Sequence, residues 1–217
     1  MPSGENHNGA EAPSGRRFSV EEARARAEQA LRKSEFILSR AYGLLREPKK
    51  EWEQIRDEET TIPNILIGYV APLAAIPPIA DLIGSYLFGA AATSALGDKI
   101  IASVVAWVVG VAMVYLLGIM INVTADHFDS DRGDLAAQKV AAYSLTPFFL
   151  STLLLIWPPL LWVPILALGI MVFLIYRGLP ILMKTPPDRA MAYTAVVTIA
   201  AMVTFIVQIS VAGCVAS

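Results

Sequence analysis

Residues 139–177 read KVAAYSLTPFFLSTLLLIWPPLLWVPILALGIMVFLIYR, and this stretch decides how often the chain crosses a membrane. Lys139 and Arg177 bracket 37 uncharged residues. As one helix these would run about 55 Å. Bilayer hydrocarbon is only about 30 Å thick, and a spanning helix needs roughly 17–25 apolar residues. Trp157-Pro158-Pro159 interrupts the run near its middle, where proline cannot continue the helical hydrogen-bond ladder. The stretch therefore reads as two short passes, about 141–157 and 160–176, with Trp157 and Trp162 as interfacial anchors.

Working outward from that hairpin, three more segments are long and apolar enough to span once each: about 65–88, 100–123 and 191–213. Five spans result. The composition agrees, with 55% hydrophobic residues and a mean hydropathy of +0.55, which excludes an ordinary soluble domain. Of 36 charged side chains, 23 lie before Ile62, so a polar tail joins a membrane-embedded body. The expected fold class is all-α: a bundle of five transmembrane helices with an N-terminal helical tail. A net charge of −2 leaves no basic footprint for nucleic acid. The single cysteine, Cys214, excludes an intramolecular disulfide and any zinc site built from several thiolates.

Orientation follows from Lys and Arg. With the tail inside, the inner segments carry eleven cations in the tail, Arg132 and Lys139 in the second loop, and Arg177, Lys184 and Arg189 in the fourth. The outer segments carry only Lys99. The expectation is a cytoplasmic tail and an outside C-terminus, in an inner (plasma) membrane.

The expected organisation is a disordered segment 1–18, a cytosolic helical tail 19–61 and a membrane domain 62–217. Ser19 with Glu22 resembles a capping box that opens a helix towards Arg46. Its apolar positions Ala23, Ala27, Leu31, Ile37, Leu38, Leu44 and Leu45 are loosely periodic, and both a surface-lying and a partner-binding helix fit them. Pro48 ends that helix, and the next turn puts Trp52 and Ile55 on one side, as an amphipathic element at headgroup level would.

Inside the spans, few residues carry chemistry. Asp81 is the ionisable group deepest in a span and needs a partner, water or a proton. Depth counting brings Gln208 of the fifth span into its layer, so Asp81 and Gln208 are expected to form an intramembrane polar pair. Ala102, Ala106, Gly110 and Gly118 repeat at multiples of four on the second span, a spacing that lets helices approach closely, within the molecule or in a homo-oligomer. Pro72, Pro77 and Pro78 should kink the first span. The polar run Asp126–Asp134 fails as an EF-hand, since counting from Asp129 puts Asp134 and Val140 where Gly and Glu are required. It reads instead as a solvated inner loop paired with Arg177, Lys184 and Arg189. The sequence contains no H-E-x-x-H, G-x-S-x-G, P-loop or G-x-G-x-x-G motif, so no catalytic, cofactor or metal residue is assigned.

The lead-in Arg46-Glu47-Pro48-Lys49-Lys50-Glu51-Trp52-Glu53 and the run Tyr69–Ile76 resemble those of the Yip family, five-span proteins named for interaction with Ypt/Rab GTPases. So do Asn122–Phe128 with Ala142-Tyr143-Ser144-Leu145-Thr146-Pro147, and Tyr176–Pro186 with Ala190–Thr194. The positions that carry the resemblance are Pro48, Trp52, Tyr143, Ser144, Pro147, Gly178, Pro180, Lys184, Pro186 and Tyr193. Where the family often has a Phe-Gly-Gly-like turn, this chain has Phe128-Asp129-Ser130. The similarity is to the short, bacterial-looking branch; eukaryotic relatives have longer tails and are implicated in vesicle traffic. It implies five spans, a cytosolic N-terminus, and a Rab-type GTPase partner only where the cell has one. The expected function is a non-enzymatic membrane scaffold or trafficking factor that contacts membrane lipids and recruits a protein partner through its cytosolic face. A small-solute, ion or lipid transporter is the alternative.

Overall fold

The computed structural model describes residues 20–88, 96–160 and 162–216. The expected disorder of 1–18 and the cap at Ser19 lie outside these residues. The chain divides into two units, Met1–Leu38 and Ser39–Ser217. Helix α1 (Val20–Arg46) begins in the first, where Leu31 and Leu38 are 62% and 59% exposed.

In the second unit, Pro48 starts helix α2 (Pro48–Asp57), as its fixed φ favours at a first helical position. Five helices long and apolar enough to cross a membrane follow: Ile62–Leu87, Gly97–Phe128, Asp134–Ile156, Val163–Leu182 and Pro187–Val211. The expected all-α class and five-span count therefore hold, and the break at Pro158-Pro159 separates the third span from the fourth.

The first span is not one regular helix. A π-helical turn at Leu66–Val70 and a break at Ala75 divide it, around Pro72, Pro77 and Pro78. Proline removes the donor that would satisfy a carbonyl four residues earlier. The Trp107 indole donates to the Ala71 carbonyl at 2.8 Å across the kinked region.

The third span is the core of the bundle, with Ala137–Ser144 buried throughout. It starts at Asp134, earlier than the expected boundary near residue 141, and so takes in Gln138 and Lys139. Both are buried and both have partners: Gln138 donates to the Val114 carbonyl at 3.3 Å, and Lys139 reaches the end of α2. The fourth span likewise runs past residue 176 to Leu182, carrying Arg177 as an exposed helical residue and Pro180 inside the helix. Arg177 lies over the Phe173 ring, 5.4 Å from its centre, and among the described residues it forms no ion pair with the acidic loop.

Small residues on the second span serve contacts inside the molecule. A side chain added at Gly118 would overlap the Gln138 amide, and one at Gly110 would come within 2.9 Å of Gln208 Nε2. Ala102 and Ala106 line a cavity described below.

Candidate functional site

Two polar assemblies and one cavity are candidates. The first joins α2 to the third span. The Lys139 ammonium donates to the carbonyls of Ile55 (2.6 Å), Arg56 (3.2 Å) and Glu58 (2.8 Å). These belong to the last turn of α2 and its C-cap, where helical carbonyls lack intrahelical partners and a cation is favoured. Beside it, the Arg40 guanidinium bridges Glu51 at 2.8 Å and Glu58 at 2.6 Å, and stands 5.6 Å from the centre of the Tyr143 ring. Tyr143 packs on Tyr69 with ring centres 4.5 Å apart, and Tyr69 shares a 2.8 Å hydrogen bond with Thr146. The Ser144 hydroxyl is buried and has no hydrogen-bond partner among the described residues.

Trp52 completes this assembly. Trp52 and Ile55, expected on one side of an amphipathic element, are both 0% exposed and so face the protein. The Trp52 indole lies against Gly178, where an added Cβ would come within 2.9 Å of Trp52 Cζ2. Trp52 and Gly178 are thus one contact, seen from two helices. Outside the spans, a hydrogen bond from Arg56 holds the exposed Asp57 carboxyl below its usual range.

The second assembly joins the two loops at the same end. Lys184 pairs with Asp131 at 2.8 Å, Arg189 with Asp129 at 3.5 Å, and Arg132 with Asp126 at 2.6 Å. The Asp131 amide donates to the Met183 carbonyl at 2.8 Å, and Ser130 Oγ donates to Thr185 Oγ1 at 2.9 Å. Asp129 and Lys184 both take left-handed backbone conformations, with φ of 52° and 50°. Tyr193 lies beneath, stacked on Phe128 at 4.6 Å, with its hydroxyl donating to the Ile121 carbonyl. Among the described residues, no group of three or more His, Cys, Asp or Glu is placed to hold a metal ion. Pro147 opens the second part of the third span, while Pro180 lies near the end of the fourth and Pro186 just before the fifth.

The cavity, about 530 Å³, lies among all five spans. It is lined mostly by apolar side chains, and both Asp81 and Gln208 reach it. The Gln208 amide lies 3.5 Å from the Ala106 carbonyl, and no hydrogen bond joins it to Asp81 among the described residues.

Sequence reasoning expected Asp81 and Gln208, which both line the cavity, to pair, and it missed Arg40, Gln138 and Lys139 as buried groups. The available signal was Lys139 itself, a lone cation opening a long uncharged run.

Five apolar helices with their charged loops paired at one end define a multi-pass integral membrane protein. A Yip1 domain matches residues 42–209, most of the chain. The chain belongs to the Yip1 family. Neither the search of curated proteins nor that of solved structures yields a match.

Proposed function

We propose that this Yip1-family membrane protein is a non-enzymatic scaffold or membrane-organisation factor, anchored in a bacterial inner membrane and recruiting a protein partner through its cytosolic tail. The observation that carries this reading is on the first unit: Leu31 and Leu38 stand on α1 one heptad apart, 62% and 59% exposed. Apolar side chains at that spacing form one stripe, the pattern by which a helix meets a groove or another helix. A Rab-type GTPase is a candidate only in a cell that has one.

The orientation rests on charge. The Lys139 cap, the Arg40 pairs and the ion pairs of both loops cluster away from Lys99, and a positive-inside membrane favours that end in the cytoplasm. The transporter alternative is weaker. Beyond Leu117, a wall of the cavity, the second span continues into buried Ile121 and Ala125, and Tyr193 fills the space beside them.

A photoreactive amino acid at position 38, activated in cells, tests the reading. A discrete protein adduct, lost in a Leu31→Ser/Leu38→Ser variant that still inserts, is the expected result. Adducts to lipid alone would make α1 a surface-lying helix and remove the scaffold reading. Truncation is a poor substitute beyond residue 38, because Arg40, Ala41 and Leu44 are buried in the second unit. Asp81→Asn decides the alternative: loss of function in a stable, inserted protein would move transport to first place.

A further inference from the structure

The cavity has features that a scaffold does not need. Its walls are apolar over most of their extent, including Leu82, Val114, Phe148 and Phe205. Ala102, Ser103, Ala106 and Gly110 line it along the second span, where larger side chains would close it. Asp81, Asp98 and Lys99 line it as well, near the junction of the first and second spans. Among the described residues none of these three enters an ion pair. Asp81 is six residues before Leu87, about 9 Å along a helix, so this end lies near the interface.

We propose that the cavity binds one phospholipid with an amine-bearing zwitterionic headgroup. One acyl chain occupies the apolar trough, the phosphate meets Lys99, and the ammonium lies between Asp81 and Asp98. The occupant follows from the surroundings and the charges. At membrane depth the molecules available to an apolar opening are lipids, and apolar walls favour a hydrocarbon chain over water. One cation with two carboxylates complements a phosphate plus an ammonium, while the second carboxylate disfavours a purely anionic headgroup. The volume, about 530 Å³, falls within the range of roughly 300–1,000 Å³ usual for small-ligand sites. The small residues of the second span then acquire a second use: they make room for the chain as well as for neighbouring helices.

The test uses the full chain reconstituted into phosphatidylglycerol vesicles. A trace of phosphatidylethanolamine or of phosphatidylglycerol is added, each with the same photoactivatable acyl chain, and adducts are mapped by peptide mass spectrometry. The expected result is adduct formation at Ala106, Phe148 and Phe149, favouring the ethanolamine probe about tenfold, the scale of one charge-assisted contact. Excess unlabelled phosphatidylethanolamine should suppress it. Asp81→Asn together with Asp98→Asn should erase the headgroup preference, Lys99→Gln should lower the yield of both probes alike, and Ala106→Leu should lower yield at all three positions. Equal yields from the two probes with the wild-type chain, or adducts confined to outward residues such as Ile119 and Ile199, would overturn the proposal even if a variant fails to fold.

Discussion

Lys139→Met isolates the contact that fixes α2 to the bundle. Methionine keeps the length of the side chain and removes three donated hydrogen bonds, to the carbonyls of Ile55, Arg56 and Glu58 at 2.6, 3.2 and 2.8 Å. The first bond is buried, and a buried carbonyl left without a donor costs about 1–3 kcal/mol. The other two are part-buried, and water can replace some of what they lose, so each adds about 0.5–1 kcal/mol. Against this stands the relief of no longer burying an ammonium, which recovers part of the loss. A net weakening of about 2–4 kcal/mol follows. The appropriate readout is amide hydrogen exchange over Pro48–Asp57 in detergent or nanodiscs, since local opening should precede loss of the spans. At tenfold per 1.4 kcal/mol, exchange should quicken roughly 30-fold to 1,000-fold there, with the fifth span little changed. Unaltered protection of α2 would refute the idea that this cap holds it in place. Acceleration spread evenly over all five spans would refute the claim that the effect is local.

Three further outcomes are expected. Gly178→Ala pushes a methyl group against the Trp52 indole at 2.9 Å, and should lower stability by about 1–3 kcal/mol, seen as a reduced Tm with altered tryptophan fluorescence. Tyr193→Phe removes the hydroxyl that donates to the Ile121 carbonyl and should cost about 1–3 kcal/mol in thermal unfolding, while the stacked contact with Phe128 remains. A membrane-impermeant maleimide should label Cys214, the single thiol, in intact cells; labelling only after the membrane is opened, with the denatured protein reactive, would reverse the proposed topology.

The contact between Trp52 and Gly178 shows where sequence reasoning stops. In sequence, Trp52 beside Ile55 on a charged helix has the pattern of an interfacial anchor, and nothing local distinguishes that from a core residue. The difference lies in what faces the indole: a glycine more than a hundred residues later, whose missing side chain makes the slot. Lys139 misled the reading of the third span for a similar reason. A lysine at the edge of an apolar run is ordinarily a loop residue, because a buried ammonium without partners is costly. Only a second helix ending at the right place makes its burial possible, and that helix lies some eighty residues earlier in the chain.

The sequence by itself determined the number of spans, and the reason is one of length and solvation. A bilayer of fixed thickness rejects both charges and unpaired backbone groups, so apolar run lengths and the Pro158-Pro159 break suffice without any knowledge of packing. Tertiary structure alone decided which polar groups turn inward. Arg40, Gln138 and Lys139 are buried because distant carbonyls and carboxylates meet them there, and Asp81 and Gln208 both line one cavity. Such meetings depend on helix rotation and tilt, which hydropathy does not encode.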